Sequence, residues 1–243
     1  MWYDYKDIFY ENNEYKKTVE SMKELESYDI HKNCEIIGDS TFHGNEKLNV
    51  FICPSNLQKI EIEAFAGCNQ LKNVTFNEGL QEIECGAFES CNKLSAIILP
   101  NSLKLLGSSA FAGNLNVSQI KIGDNLKEIL SDTFYGMSRI EELDLNKIEI
   151  IQAHAFGGYE IGTLKLPSTL KNIDKYSFYD CEIDEIIFEG TKGMFERITG
   201  GKQFLEKHKV KFNVPTLEEM IDKGFSLKEI SAIYNDNKAE REL

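Results

Sequence analysis

Hydrophobic residues recur along most of this chain with a period of 22 or 23 residues. The clearest marker is a phenylalanine, which is preceded by alanine in four copies of the pattern. The marker positions are Phe42, Phe65, Phe88, Phe111, Phe134, Phe156 and Phe178. A fixed period in this range is typical of a solenoid, in which each copy of the sequence forms one turn.

Within each copy, further apolar columns predict the local structure. The last two columns lie two residues apart, as in Val74 and Phe76, and this alternation predicts a short strand with one side turned inward. The spacing Ile-x-x-x-Ala-Phe that precedes the phenylalanine predicts a turn of α- or 3₁₀-helix, which would lay the ring over the strand. One such unit cannot bury its own apolar face, but stacked neighbours form a continuous core.

The pattern Leu-x-x-Ile-x-x-x-Ala-Phe-x-x-Cys-x-x-Leu-x-x-Ile-x-Ile-Pro resembles the BspA-like class of leucine-rich repeats. It is carried by LQKIEIEAFAGCNQLKNVTF from Leu57 and by LQEIECGAFESCNKLSAIIL from Leu80. The resemblance extends over about residues 34–190 and implies a repeat fold of the α+β type. This fold is a curved, right-handed leucine-rich-repeat solenoid with parallel strands along one face. Better-known members of the class are surface proteins that bind host or matrix proteins, a function that the repeat alone does not carry.

Residues outside the repeats predict caps at both ends. Residues 1–33 form a predicted N-terminal helical cap, because Tyr15, Val19, Met22 and Leu25 share one face of a helix. Residues 34–190 contain the seven repeats. Residues 191–214 are predicted to close the array, since they begin like the segment that often ends such arrays and finish in a strand-like run.

Residues 215–243 predict a short helical hairpin. Thr216 with Glu219, and Ser226 with Glu229, have the spacing of capping boxes at the start of two helices. We expect the apolar residues of the two helices to face one another. They are Leu217, Met220 and Ile221 in the first helix, and Leu227, Ile230, Ile233 and Tyr234 in the second. The hairpin is predicted to be a cap or a docking element for a partner protein.

The outward-facing strand residues form the predicted partner-binding surface. Seven strands in one sheet would place them side by side on the concave face of the solenoid. They are Val50, Ile52, Asn73, Thr75, Ala96, Ile98, Gln119, Lys121, Glu142, Asp144, Thr163, Lys165, Glu185 and Ile187. The end from Val50 to Ile98 is apolar and uncharged, which favours an interaction patch; the alternative is a face that is simply solvated.

Charge and hydropathy narrow the kind of partner and the location. A formal net charge of −13 and an isoelectric point near 4.9 disfavour nucleic acid or an anionic membrane as the main partner. The chain has no apolar run long enough to span a bilayer. Its first residues lack the basic region and apolar core of a secretory signal. These observations predict a cytoplasmic protein, with a cell-surface or secreted location as the alternative if the N-terminus is processed.

The six cysteines are predicted to be free thiols. Cys68, Cys91 and Cys181 occupy one repeat column, in which other copies carry asparagine, methionine or tyrosine. A column that accepts such different residues is a packing position, and free cysteine is commonly buried. A disulfide between Cys68 and Cys91 is the alternative.

No motif indicates a metal, a cofactor or catalysis. His31, Cys34, His43 and Cys53 lie near one another in sequence, but their spacing matches no established zinc site. None of the four histidines accompanies a nucleophile in a recognised motif. We therefore predict no catalytic residues, no metal and no cofactor.

These observations predict a non-enzymatic module that binds a protein through its strand face or its terminal helices. One alternative is a cell-surface adhesin for a host or matrix protein, which the family resemblance implies. Another is a DNA-binding regulator, since residues 223–230 are similar to part of a helix-turn-helix. The acidic charges of the tail oppose contact with phosphates and argue against this last function.

Overall fold

The computed structural model describes residues 9–11, 14–16, 34–222 and 225–241. The repeats form a solenoid of parallel strands, as the hydrophobic period predicts. The strands are β1 (Phe9–Glu11), β2 (Glu14–Lys16), β3 (Ile36–Ile37), β4 (Val50–Ile52), β5 (Lys59–Ile60), β6 (Asn73–Thr75), β7 (Glu82–Ile83), β8 (Ala96–Ile98), β9 (Leu105–Leu106), β10 (Gln119–Lys121), β11 (Glu128–Ile129), β12 (Ile140–Asp144), β13 (Ile150–Ile151), β14 (Glu160–Leu166), β15 (Asn172–Ile173), β16 (Glu182–Phe188) and β17 (Val210–Phe212). The helices are α1 (Lys192–Glu196), α2 (Gly201–Lys207), α3 (Leu217–Asp222) and α4 (Leu227–Arg241).

Each turn contains two short strands, one more than the sequence predicts. The predicted strand has three to seven residues and provides the outward face. A second strand of two residues contains the aliphatic residue that lies five positions before the phenylalanine. Ile37 pairs with Ile60, and Ile60 with Ile83, so equivalent residues of successive turns lie side by side.

The connection from this second strand to the phenylalanine is a series of tight turns, so the predicted helical turn is wrong. Left-handed backbone occurs two residues before and two residues after the ring, as at Glu63 (φ 51°) and Gly67 (φ 70°) around Phe65. A residue in this conformation interrupts a right-handed helix. The turns still bond to one another, because the Phe65 amide donates to the Ala87 carbonyl at 2.7 Å.

The seven marker phenylalanines form one continuous stack through the core. All are buried, with at most 6% of the residue exposed. Successive ring centroids lie 4.8 to 5.9 Å apart, with angles of 2 to 16° between the ring planes. The period of 22 or 23 residues is therefore the sequence separation between each ring and the next ring that packs on it.

The cysteine column supplies side-chain hydrogen-bond donors, of which Cys68 and Cys91 are buried and Cys181 is partly buried. The Cys68 thiol donates to the Phe42 carbonyl at 3.0 Å, and the Cys91 thiol to the Phe65 carbonyl at 3.2 Å. All six cysteines are free, so the prediction of free thiols is confirmed and the alternative disulfide is wrong. The thiols satisfy main-chain carbonyls that face the core.

Asparagine takes the place of cysteine in this column at Asn45 and Asn114, and Asn114 supplies two donors. Asn114 Nδ2 donates to the Phe88 carbonyl at 2.9 Å and to the Phe111 carbonyl at 2.7 Å. The next copy carries Met137, whose side chain has no donor. The Asn114 amide therefore also serves the carbonyl that Met137 leaves without a side-chain partner.

The described part of the N-terminal segment is a β-hairpin. Strands β1 and β2 pair antiparallel, and β2 continues in parallel onto β3, with Tyr15 opposite Ile37. The predicted helix is therefore wrong at Tyr15, because residues 14–16 extend the ladder of two-residue strands. The other residues of the predicted helical face, Val19, Met22 and Leu25, lie outside the described residues.

Residues 191–214 end the core with aromatic side chains set edge-on. Phe204 of α2 meets Phe178, the last ring of the stack, at 6.1 Å and 71°. Phe195 of α1 meets Phe188 at 4.9 Å and 76°. Strand β17 then pairs with β16, which confirms the predicted strand at this end of the chain.

The C-terminal helices begin where the two capping boxes predict. The Thr216 amide donates to Glu219 Oε2 at 2.7 Å, and the Ser226 amide to Glu229 Oε2 at 2.7 Å. The predicted packing between the helices is only partly correct. Met220 and Ile233 are buried and Ile230 is half-buried, whereas three other residues of the predicted set are exposed: Leu217 by 60%, Ile221 by 60% and Leu227 by 86%.

Candidate partner-binding face

The fourteen predicted residues lie together on one surface, which we call the strand face. They occupy two rows that run across the strands, and each residue lies beside its equivalent in neighbouring turns of the same ladder. Val50 pairs with Asn73 and Ile52 with Thr75. The alternation that predicts the face is seen in β4, where Phe51 is buried between two exposed residues.

The remaining predicted residues continue these rows. The pairs are Gln119 with Ala96, Lys121 with Ile98, Glu142 with Thr163, Asp144 with Lys165, Thr163 with Glu185, and Lys165 with Ile187. The structure adds Lys211 of β17, which pairs with Ile187. Alternation in Val210-Lys211-Phe212 signals this strand in the sequence, but it lies beyond the last repeat and outside the predicted set.

The strand face consists of three ladders, so the expectation of one continuous sheet is wrong. Within residues 34–222, the ladders are β4 with β6, β8 with β10, and β12 through β14 and β16 to β17. The first two ladders provide the apolar end of the face. The third provides most of the charged end.

The apolar end combines exposed β-branched side chains with uncharged polar ones. Val50 is 41% exposed, Ile52 68% and Ile98 43%. Asn73 and Thr75 lie on the strand beside Val50 and Ile52, and both are exposed. This end therefore presents apolar surface on a backbone that the ladder holds in place.

The charged end is largely paired within the chain. Lys165 Nζ lies 2.7 Å from Glu142 Oε1 on the neighbouring strand, and this hydrogen bond raises the pKa of Lys165. Lys211 pairs with Glu185 in the same way. These ions already have partners, so a ligand gains less from them than from the apolar end.

Arg139 links three turns beside this end of the face. Its guanidinium lies 2.8 Å from Glu141 Oε1, 3.0 Å from Glu160 Oε2 and 2.8 Å from Asp184 Oδ2. These contacts raise the pKa of Arg139, the hydrogen bond to Glu141 most of all. Arg139 is separated from Glu160 by 21 residues and from Asp184 by 45 residues. The guanidinium therefore links its own turn to the next turn and to the one after it.

The residues that raise the question of a zinc site do not form one where they are described. Cys53 is buried, and burial raises the pKa of its thiol to about 12, which disfavours the thiolate that zinc requires. His43 Nδ1 lies 3.3 Å from Glu63 Oε2, and His31 lies outside the described residues. In the described ranges, no group of three or more histidine, cysteine or acidic side chains could hold a metal. No helix there is long and apolar enough to cross a membrane.

Comparison with known proteins identifies the repeat. The family model described as "BspA type Leucine rich repeat region (6 copies)" matches residues 15–141 and 127–233. No curated protein matches the sequence.

Several solved structures are similar to this chain. The pneumococcal vaccine antigen PcpA is 20% identical, with a TM-score of 0.52 over 80% of this chain and 42% of that protein. A leucine-rich cell surface protein of Faecalibacterium prausnitzii A2-165 is 19% identical, with a TM-score of 0.49 over 70% of this chain and 55% of the other. The leucine-rich repeat protein of T. pallidum is 22% identical, with a TM-score of 0.46 over 74% and 80% of the two chains. The chain thus spans about half the length of the first two proteins.

Proposed function

Because the chain belongs to the BspA-type leucine-rich repeat family, we propose that it binds a protein partner through the apolar end of the strand face. The observation that carries this proposal is the exposure of Val50, Ile52 and Ile98 on two regular parallel ladders, β4 with β6 and β8 with β10. We propose a binding module rather than an enzyme, since leucine-rich repeats are generally binding modules and the sequence contains no recognised catalytic motif.

The chemistry of the face fits a protein partner. The cores of protein interfaces are depleted of charge, whereas their rims are polar. Val50, Ile52 and Ile98 supply an apolar centre, and Asn73 and Thr75 supply donors and acceptors among them. The ion pairs of Lys165 and Lys211 lie further along the face, where they suit a rim. A rigid strand surface also lowers the entropic cost of binding, because little of it must become ordered.

A matched pair of variants tests this proposal. Tagged protein is expressed in its native cells, and the captured proteins are identified by mass spectrometry. We expect Ile98→Asp to remove the specific partners, because it places a charge at the centre of the proposed contact. Leu115→Asp is the control, since Leu115 is 59% exposed but lies in a connecting loop outside the strand face.

The outcome that contradicts the proposal is an unchanged set of partners with Ile98→Asp. Circular dichroism of both variants accompanies the capture, so that loss of partners is compared only between folded proteins. Equal losses with Ile98→Asp and Leu115→Asp would also contradict the proposal, because the loss would then not depend on the strand face.

We propose a surface adhesin as the second candidate, since better-known members of the BspA-like class bind host or matrix proteins from the cell surface. The same strand face would then contact an external protein. Fractionation of cells, followed by detection with an antibody, separates this candidate from a cytoplasmic module. Recovery in the cytoplasmic fraction alone contradicts the adhesin, and recovery at the surface alone contradicts the cytoplasmic module.

The charges of the C-terminal hairpin oppose binding to DNA. The first turns of α3 and α4 carry Glu218, Glu219 and Glu229, which are exposed. These side chains would repel the phosphate backbone from the hairpin.

A further inference from the structure

A cleft of about 640 Å³ lies between the C-terminal hairpin and the edge of the solenoid at which the strands of the face end. Its volume is in the range of about 300–1,000 Å³ that is usual for ligand sites. One wall comes from α1 and the hairpin and includes Met194, Phe225 and Ile233. The other wall comes from the connections that follow the strands and includes Asp144 and Glu189.

The two walls differ in chemistry. Met194 and Phe225 are partly exposed and present apolar surface, whereas Ile233 is almost fully buried. The whole lining contains four carboxylates (Asp124, Asp144, Glu189 and Glu229) and two cationic side chains (Lys147 and Arg197). The cleft is therefore both partly apolar and negatively charged.

Contacts within the chain keep the carboxyl groups of Asp124 and Glu229 ionised. Asp124 accepts from Asn146 at 2.9 Å and pairs with Lys147 at 2.9 Å, and the pKa of Asp124 is lowered by these contacts. Glu229 accepts from Ser226 in the capping box of α4, which lowers the pKa of Glu229. Asp144 accepts a main-chain hydrogen bond from Asn146 at 2.7 Å and is exposed at the mouth of the cleft.

We propose that the cleft receives a lysine or arginine side chain presented by the partner protein. Such a side chain has an aliphatic stem and a charged head. The stem would pack against Met194 and Phe225, and the head would lie near Asp144. The proposal deepens the proposed function and rests on it for the identification of the partner as a protein.

The position of the cleft supports this occupant. Asp144 belongs to two surfaces. On the strand face it lies opposite Lys165 in the strand register, and it also lines the cleft. A polypeptide that crosses the strand face can therefore reach the cleft without leaving the surface. An acidic segment would meet like charge there, whereas a basic one complements both the cleft and the net charge of −13.

A peptide titration of the full chain, observed by nuclear magnetic resonance, tests the proposal. Three peptides serve as probes. The first is acetyl-Gly-Gly-Arg-Gly-Gly-amide, and the other two carry lysine or glutamate in place of the central arginine. We expect saturable shifts of amides around Asp144, Ser168 and Ala232 with the arginine and lysine peptides. We expect no such shifts with the glutamate peptide.

Two variants that change the net charge by the same amount distinguish binding in the cleft from general attraction to the acidic surface. Asp144→Lys should abolish saturable binding, whereas Glu46→Lys, an exposed change in the first repeat, should leave the affinity within about twofold. Glu229→Gln should weaken binding by about two- to fivefold, the range for one exposed ion pair. Glutamine also serves in a capping box, so this variant is expected to keep the start of α4.

Shifts that do not saturate, or that spread over the acidic surface, would overturn the proposal. Equal effects of Asp144→Lys and Glu46→Lys would do the same, because the cleft would then contribute nothing beyond net charge. The titration requires no native partner, so its failure is distinct from a failure of the proposed function, which the capture with Ile98→Asp measures.

Discussion

The side chain of Phe111 lies between two other rings of the core stack. Its centroid is 5.2 Å from that of Phe88 and 5.9 Å from that of Phe134, with the three rings nearly parallel. Phe111 has no exposed surface. Loss of the ring would leave a cavity between two turns. The cavity would stay open, because the neighbouring turns prevent these two from moving closer together.

We predict that Phe111→Ala lowers the free energy of unfolding by about 3–5 kcal/mol, the usual cost of this truncation in a core. The comparison is Leu115→Ala, which should change stability by at most about 0.5 kcal/mol because Leu115 is largely exposed. Chemical denaturation of both variants provides the measurement. Similar values for the two variants would show that the ring does not support the stack.

The cysteines differ sharply in their surroundings. Cys91 is fully buried, and burial raises the pKa of its thiol well above the ordinary value. Cys85 is exposed. Since the thiolate is the reactive form, a raised pKa and burial both protect Cys91.

We therefore predict that iodoacetamide at about pH 8 modifies Cys85 rapidly in the folded protein, whereas Cys91 reacts only after unfolding. Mass spectrometry of peptides taken over time measures both rates. A Cys85→Ser variant should show no fast phase. Equal reactivity of the two thiols would mean that the column of thiols does not lie in the core.

At the scale of the element, the turns around each phenylalanine determine how closely neighbouring turns of the solenoid approach. Glycine serves two different purposes there. Gly44 has a left-handed backbone (φ 66°) and open space where a Cβ would lie. Gly107 lies against the backbone of the preceding turn, and a Cβ there would meet the Cys85 nitrogen at 2.4 Å.

We predict that Gly107→Ala destabilises the protein more than Gly44→Ala does. The first change forces two turns apart and should cost about 3 kcal/mol, near the upper end for overpacking. The second adds only the strain of a left-handed alanine, about 1–2 kcal/mol. Thermal unfolding of the two variants compares them, and a larger effect at Gly44 would contradict the close approach at Gly107.

At the scale of the whole molecule, each turn contacts mainly the turns before and after it. The stability of such a protein is approximately a sum over turns and the interfaces between them. The ladders, the phenylalanine stack and the Arg139–Glu160 ion pair follow this rule, whereas the Arg139–Asp184 pair reaches one turn further. A turn can therefore be removed as a unit if the register of the remaining turns is kept.

We predict that deletion of residues 66–88, one full period, yields a shorter solenoid that still unfolds cooperatively at a lower temperature. The deletion joins Phe65 directly to Glu89 and preserves the column positions on both sides. Deletion of residues 66–83 removes fewer residues but shifts the columns, and it should abolish cooperative unfolding. Circular dichroism during heating measures both, and equal behaviour of the two deletions would contradict the repeat register.

The sequence by itself determined the solenoid, the stacked phenylalanines, the residues of the strand face and the two capping boxes. Contacts in a repeat protein join equivalent positions one period apart, so a period that can be read in one dimension already identifies the packing partners. Phe65 and Phe88 illustrate this for the core, and Val50 and Asn73 for the surface. The capping boxes are local, since each one joins residues three apart.

Only the tertiary structure decided the features that depend on how unlike elements meet. The second strand of each turn and the left-handed residues around Phe65 arise because the chain must turn tightly between neighbours, and hydrophobic spacing does not encode backbone handedness. Exposure of Leu217 and burial of Met220 follow from the way the hairpin rests on the solenoid. The cleft exists for the same reason, because Asp144 and Ile233 are distant in sequence and no period relates them.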